Sequence, residues 1–333
     1  MGGDTGTHLD SFRAEGVQMG RPRTTLWFLA LTLSLGACAS DGPNEAGDGP
    51  PAASASGASF PVTVYGTSGP VTIDERPDRI VSLSPTATEA LFEIGAGPQV
   101  VAADDRSNFP PQAPTTDLTG LEPNIEAITE YEPDLVVYAT EIGDLGSSLE
   151  SVGLTALHLD AATTIQDVYT QIEQLGLATG HADEAAALAG DMRNEIDQIV
   201  ASAGSAQGLT FYYELDDTYY SVTSDTFIGQ LLSMLGLENI ADAAAKGSGG
   251  YPQLSAEYII DADPELIYLA DTKCCGQSPE TVAERPGWDR ITAVEEGNVV
   301  PLDDDVASRW GPRVVDLLRR IADAATAAEA AAA

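Results

Sequence analysis

The residues that invite a chemical reading begin with two glutamates, Glu126 and Glu257, which stand 131 positions apart in matching segments. Asn124-Ile125-Glu126-Ala127-Ile128, then Glu130, Glu132, Pro133, Asp134, Leu135 and Val136, is answered by Ser255-Ala256-Glu257-Tyr258-Ile259, then Asp261, Asp263, Pro264, Glu265, Leu266 and Ile267. Each unit opens on an N-cap residue and carries its carboxylate in the first helical turn, where it complements the helix dipole. Each then breaks at proline and enters an apolar strand. Bond-making chemistry is poorly provided for. Beyond residue 37 only His158 and His181 supply imidazoles, too few for the general base of most hydrolase schemes and for a zinc or manganese centre, which needs several imidazoles or thiolates together. There is no Gly-x-Ser-x-Gly elbow and no Walker loop, so an enzyme is not expected. The run Asp303-Asp304-Asp305 has the ligand type for calcium, but a solvated acidic loop is the commoner role of such a run, and no metal site is expected.

The duplicated unit predicts two similar α/β lobes. Apolar strands are expected at 80–83, 100–103, 135–138 and 156–159 in the first half, and at 210–214, 266–269 and 299–302 in the second. Helical stretches such as 86–94 and 226–235 alternate with them. Continuous apolar strands alternating with helices imply mostly parallel sheets covered on both faces, with ligands at the carboxyl ends of the strands. A helical region without a strand runs from Thr164 to about Ser202. Ile165, Val168, Ile172 and Leu175 form one stripe, Gly180 is a C-cap, and Ala185, Leu188, Met192, Ile196 and Ile199 form a second stripe. A helix of about twenty residues is ~30 Å long, enough to bridge two lobes stiffly. The expected organisation is an N-terminal lobe over 60–163, a helical connector over 164–207 and a C-terminal lobe over 208–330, with a ligand cleft between the lobes.

The first sixty residues carry an address. Arg21 and Arg23 precede an apolar run at 26–35, and Gly36, Ala37 and Cys38 follow. That run is too short to span a bilayer of ~30 Å and reads as an export signal over 1–37. Leu35-Gly36-Ala37-Cys38 is similar to the bacterial lipobox, which implies a lipidated Cys38 at the start of the mature chain. The Pro/Gly/Ala/Ser-rich stretch over 39–59 cannot bury a core and suits a flexible tether. The net charge is −37, unchanged by removal of residues 1–37, which hold three basic and three acidic groups. Such a surface repels nucleic acid and anionic headgroups and excludes DNA or RNA binding. The other cysteines, Cys274 and Cys275, are adjacent. Outside the cytoplasm a vicinal disulfide and a free thiol pair both remain open.

Arg79-Ile80-Val81-Ser82-Leu83-Ser84-Pro85-Thr86-Ala87-Thr88-Glu89, with Ala90-Leu91-Phe92 behind it, resembles the opening strand, loop and helix of the helical-backbone class of periplasmic binding proteins for ferric siderophores, haem and cobalamin. Asn108-Phe109-Pro110-Pro111-Gln112-Ala113, the two glutamate units and Ser308-Arg309-Trp310-Gly311-Pro312-Arg313 add to the resemblance, which covers roughly 60–325 and looks most like the cobalamin binders. It implies two lobes joined by a single long backbone helix, and a monomer that delivers its ligand to an ABC permease dimer with its ATPase. Anchored to the cell membrane by Cys38, it would touch the membrane through the lipid alone. No cofactor is implied, although the ligand itself would carry cobalt or iron. The resemblance makes Glu126 and Glu257 the carboxylates that dock on permease arginines. It places Arg106, Asp305 and Arg309 at ligand contacts and Tyr220 and Tyr251 at cleft aromatics; Tyr213, beside the turn at Asp216-Asp217, is added to them as an aromatic candidate. Arg106 stands where an aromatic is usual, which leaves a ferric siderophore or haem open beside a corrinoid. A solute-sensing lipoprotein that contacts a signalling receptor would share the fold.

Overall fold

The computed structural model describes residues 59–204 and 206–332. The export signal, Cys38 and nearly all of the tether lie outside the described residues. A hairpin of β1 (Val62–Gly66) and β2 (Gly69–Ile73) comes first. Then β3 (Ile80–Leu83), α1 (Pro85–Glu93), β4 (Val100–Ala103), α2 (Ile125–Thr129), β5 (Leu135–Tyr138), α3 (Leu145–Ser151) and β6 (Thr155–His158) alternate. They build a parallel sheet in the order β4-β3-β5-β6. Helices α4 (Ile165–Thr179) and α5 (Ala182–Ser202) lead into the second half. There β7 (Thr210–Glu214), α6 (Phe227–Met234), β8 (Glu238–Asn239), α7 (Ala256–Ala262), β9 (Leu266–Leu269), α8 (Pro279–Ala283), α9 (Thr292–Glu295) and β10 (Val299–Pro301) repeat the plan. The second sheet, β8-β7-β9-β10, is also parallel. A short α10 (Asp304–Ala307) and a long α11 (Val314–Ala332) end the described chain.

The two sheets are one design used twice. Ile80 pairs with Leu135 and Phe211 with Leu266, so both members of the central pair recur at the 131-residue offset. Strands β3, β5 and β9 are buried at every position, as expected of parallel strands covered on both faces. In each sheet the chain leaves the first strand for one side and returns to the other, which puts a topological switch between β3 and β5 and between β7 and β9. Loops that diverge at such a point open a crevice at the carboxyl ends of the strands.

Local signals set the helix starts. Ser84, Asn124 and Ser255 cap α1, α2 and α7 by accepting from the amides of Ala87, Ala127 and Tyr258, and Thr164 with Asp167 forms a capping box on α4. Gly180, at φ 80°, ends α4, and α5 begins two residues later. The helices touch closely at Gly176, where a Cβ would lie 2.3 Å from that of Ala185. One hydrophobic core runs from Ile80 and Leu135 through Ile172, Met192 and Ile196 to Phe211, Leu266 and Leu318. The outer faces of the two sheets carry their own smaller cores, around Leu149 in the first and around Trp288 in the second.

Candidate ligand cleft

The loops after β3, β4 and β5 converge, as the switch point requires, on a cavity of about 480 Å³. Its wall is formed by residues 83–86, 104–106, 119–121 and 139–140, closed from the far end of the chain by Asp305, Ser308, Arg309 and Trp310. Segment 119–121 comes close because Gly120 has no side chain: a Cβ there would stand 2.6 Å from the Leu83 carbonyl oxygen.

Of the residues singled out in the sequence, the structure brings Arg106, Asp305 and Arg309 to this cavity. Arg309 is not a free cation. It is 8% exposed; its Nη1 donates to Glu89 Oε1 at 2.7 Å, and its Nη2 donates to Asp305 Oδ1 at 3.0 Å and to the Arg106 carbonyl at 2.9 Å. Arg313 adds a second cation to Glu89, with its Nε 2.9 Å from Oε2, and that carboxylate raises the Arg313 pKa. Glu89 sits on α1 and is 3% exposed, so a buried carboxylate from the first half is clamped by two guanidinia from the end of the chain. Glu89 and Arg313 lay within the motifs that carried the resemblance, but only their burial marks them as partners.

Asp305 accepts from Lys273 Nζ at 2.7 Å, Asn108 Nδ2 at 3.1 Å and Arg309. Burial pulls its pKa up, but these donors outweigh burial and hold the carboxyl below the usual range. Lys273 also reaches Asp303 at 2.8 Å, while Asp304 takes the amides of Lys273 and Cys274. The acidic run is thus a fastening between two loops, and among the described residues no cluster of three or more His, Cys, Asp or Glu is arranged to hold a metal ion. Arg106, its side chain 75% exposed, stands on the lip 3.8 Å from Asp105. Every cation at the cleft therefore has a carboxylate partner. Asp104, 2% exposed, is left over, and its Oδ1 meets no donor.

The three tyrosines divide. Tyr220 and Tyr251 are exposed on neighbouring segments, tied by the Tyr220–Gln253 bridge and the Ser221–Pro252 hydrogen bond, but neither is part of the cavity wall. Tyr213 is a correction: it is fully buried in β7 against Tyr268 and offers no surface to a ligand. Both faces of β7 are covered, and its residues 211–214 are buried on either side. Glu126 and Glu257 are exposed in the first turns of α2 and α7. Cys274 and Cys275 are joined as a vicinal disulfide. A further cavity of about 330 Å³, between the hairpin and β6, satisfies its own polar groups: Tyr138 donates to Glu141 at 2.6 Å, and Ser68 pairs with His158 at 2.8 Å.

In the second lobe the carboxyl ends of β7 and β9 hold a buried polar group that the sequence reading missed. Glu214, fully buried, takes two hydrogen bonds from Arg285 at 2.6 and 2.7 Å, and Arg285 lies over the Trp288 ring at 4.5 Å. Asp271, also fully buried, has neither carboxyl oxygen paired. Burial first, and then the charge of Glu214, push its pKa up to about 7.

Residues 80–306 match the family described as periplasmic binding protein. The chain is 31% identical over 307 residues to the cobalamin-binding protein of Halobacterium salinarum, covering 89% of this chain and 81% of that one. It is 28% identical over 275 residues to the uncharacterized ABC transporter substrate-binding lipoprotein YvrC of Bacillus subtilis, covering 79% and 85%. Two solved structures share the fold. The periplasmic vitamin B12 binding protein BtuF of Vibrio cholerae has a TM-score of 0.61 at 24% identity, over 76% of this chain and 98% of that one. The periplasmic heme-binding protein RhuT from Roseiflexus sp. RS-1 has 0.66 at 21%, over 76% and 99%. With two parallel sheets of one design, a cavity at the switch point of the first, and a family match across both, the chain belongs to the periplasmic binding proteins: it is an extracytoplasmic substrate-binding protein and not an enzyme.

Proposed function

We propose that the protein captures a corrinoid of the cobalamin type outside the cytoplasm and delivers it to an ABC permease, held at the membrane by a lipid on Cys38. The observation that carries the ligand is the charge balance of the cleft. Arg106, Arg309, Arg313 and Lys273 all stand against carboxylates, and Asp104 remains in excess. An anionic ferric siderophore, or a haem with its propionates, needs free cations to offset its charge. A corrinoid presents an apolar face and a rim of neutral amides, which suits a wall that sets Leu83, Pro85 and Trp310 among polar residues. The likeness to the cobalamin-binding protein of Halobacterium salinarum supports the same class.

Delivery is supported by Glu126 and Glu257, exposed at equivalent places in two repeated units, which is what two-point docking on a two-fold permease requires. The anchor is supported by Leu35, Gly36, Ala37 and Cys38. Titration with cyanocobalamin, cobinamide, haem and several ferric siderophores tests the ligand. One-to-one binding of a corrinoid at least tenfold tighter than any siderophore or haem is expected, and the reverse order overturns the reading. For the anchor, Cys38→Ser is expected to move the protein from the membrane to the soluble fraction. Continued sedimentation with membranes rejects lipidation there.

A further inference from the structure

Among the buried carboxylates of the cleft, Asp104 alone has an oxygen that nothing in the described chain satisfies. It follows β4, lines the cavity and is 2% exposed. On one side the main chain presses on it: a Cβ at Gly120 would lie 3.2 Å from its Oδ2. The nearby cations are engaged elsewhere, Arg106 with Asp105 and Arg309 with Glu89 and Asp305. Burial, and then the charge of Asp105, raise its pKa, while the Ser107 hydroxyl and the amides of Ser107 and Arg106 oppose the shift. Buried polar groups in folded proteins nearly always have a partner. Asp104 belongs to the wall of the ligand cavity, so the partner it lacks is assigned to a group of the ligand.

We propose that Asp104 recognises a primary carboxamide on the rim of the ligand and is a specificity-determining residue of the cleft, an inference that rests on the corrinoid reading above. A carboxamide carries N–H donors and a carbonyl acceptor on one small group. It complements Asp104 in either protonation state, donating to the carboxylate or accepting from the acid. A ligand carboxylate at the same place meets the like charges of Asp104, Asp105 and Asp305, and like-charge contact is a strong ground for rejection. The acetamide and propionamide arms at the edge of a corrin ring have the required chemistry. Asp104 thereby separates a fully amidated corrinoid from its hydrolysed, carboxylate-bearing form.

The test uses the full chain and two probes, dicyanocobinamide and the analogue whose peripheral amides are all hydrolysed to carboxylates, titrated calorimetrically. The native protein is expected to prefer the amide probe by at least tenfold. Asp104→Asn removes the charge and supplies a donor. It should raise the affinity for the carboxylate analogue about tenfold, the size of one charge-assisted hydrogen bond, and so shrink the native preference for the amide probe. Asp104→Ala should weaken the amide probe by roughly tenfold. Where the alanine variant melts early, the asparagine variant, which keeps the side-chain shape, carries the test. A ratio between the two probes that Asp104→Asn leaves within twofold of native overturns the role of Asp104 alone. Failure of the native chain to bind either corrinoid overturns the ligand class and this inference with it.

Discussion

Arg309 was expected to contact the ligand; it lines the cavity, and it is also tied to Glu89, 220 positions away in the sequence. Breaking a buried ion pair from one side leaves the other charge stranded, although Arg313 keeps one cation on Glu89. Arg309→Ala should therefore lower the unfolding free energy by roughly 2 to 4 kcal/mol, read by urea denaturation. Native stability combined with tenfold weaker corrinoid binding would make Arg309 a ligand contact rather than a support of the cleft. Asp271 makes a pH prediction. Its folded pKa of about 7 lies above the unfolded value near 3.9. The folded state thus holds a proton that the unfolded state has lost, and stability falls as pH rises from about 4 to about 7. Asp271→Asn removes that loss. Relative to native, the variant should gain urea resistance at pH 8 and show little gain at pH 4. Parallel curves at both pH values would mean that Asp271 is ionised alongside Glu214.

At the scale of elements, the stiffness of the connection depends on how closely α4 and α5 approach. Gly176 permits it: a Cβ there would meet Ala185 at 2.3 Å and the His181 carbonyl oxygen at 2.8 Å. Gly176→Ala should cost about 1 to 3 kcal/mol through overpacking. Gly190, inside α5 with nothing within 4 Å of its missing Cβ, provides the control, and Gly190→Ala should be neutral or stabilising by up to ~1 kcal/mol through helix propensity. Equal effects of the two changes in thermal melts would remove close helix contact as the reason for Gly176. The hairpin β1–β2 is among the elements not expected from the sequence. Its alternation was present, with Val62, Val64, Val71 and Ile73 around Gly66 and Gly69, but it abuts the polar tether and includes Pro70. Proline is tolerated there because the sheet has only two strands, and both are edges.

For the whole molecule, one core that runs through α4, α5 and α11 to both sheets favours small movements of the lobes over wide opening. The proposed docking would then use fixed points on a rigid body. Glu126 and Glu257 stand at the starts of α2 and α7, which feed the central strands β5 and β9, so both belong to the carboxyl edges of their sheets. Glu126→Arg combined with Glu257→Arg should leave corrinoid affinity within twofold. Transport in vesicles that hold the cognate permease should fall at least tenfold, since like charges at a docking surface cost several kcal/mol. Loss of ligand in the double variant would assign the carboxylates to the cleft, and native transport would leave them as helix-dipole residues.

The caps at Asn124 and Ser255, the breaks at Pro133 and Pro264 and the apolar runs that became β5 and β9 were legible in the amino-acid sequence. Each acts over a few residues, and repetition at 131 positions doubled the signal, so two parallel-sheet lobes followed without coordinates. What the tertiary structure alone decided is which charges are neutralised and which are not. Glu89 meets Arg309 and Arg313, Tyr213 vanishes between two covered faces, and Asp104 and Asp271 keep unpaired carboxyl oxygens. Ion pairing and desolvation are properties of the space around a group, and packing brings together positions that no local pattern connects.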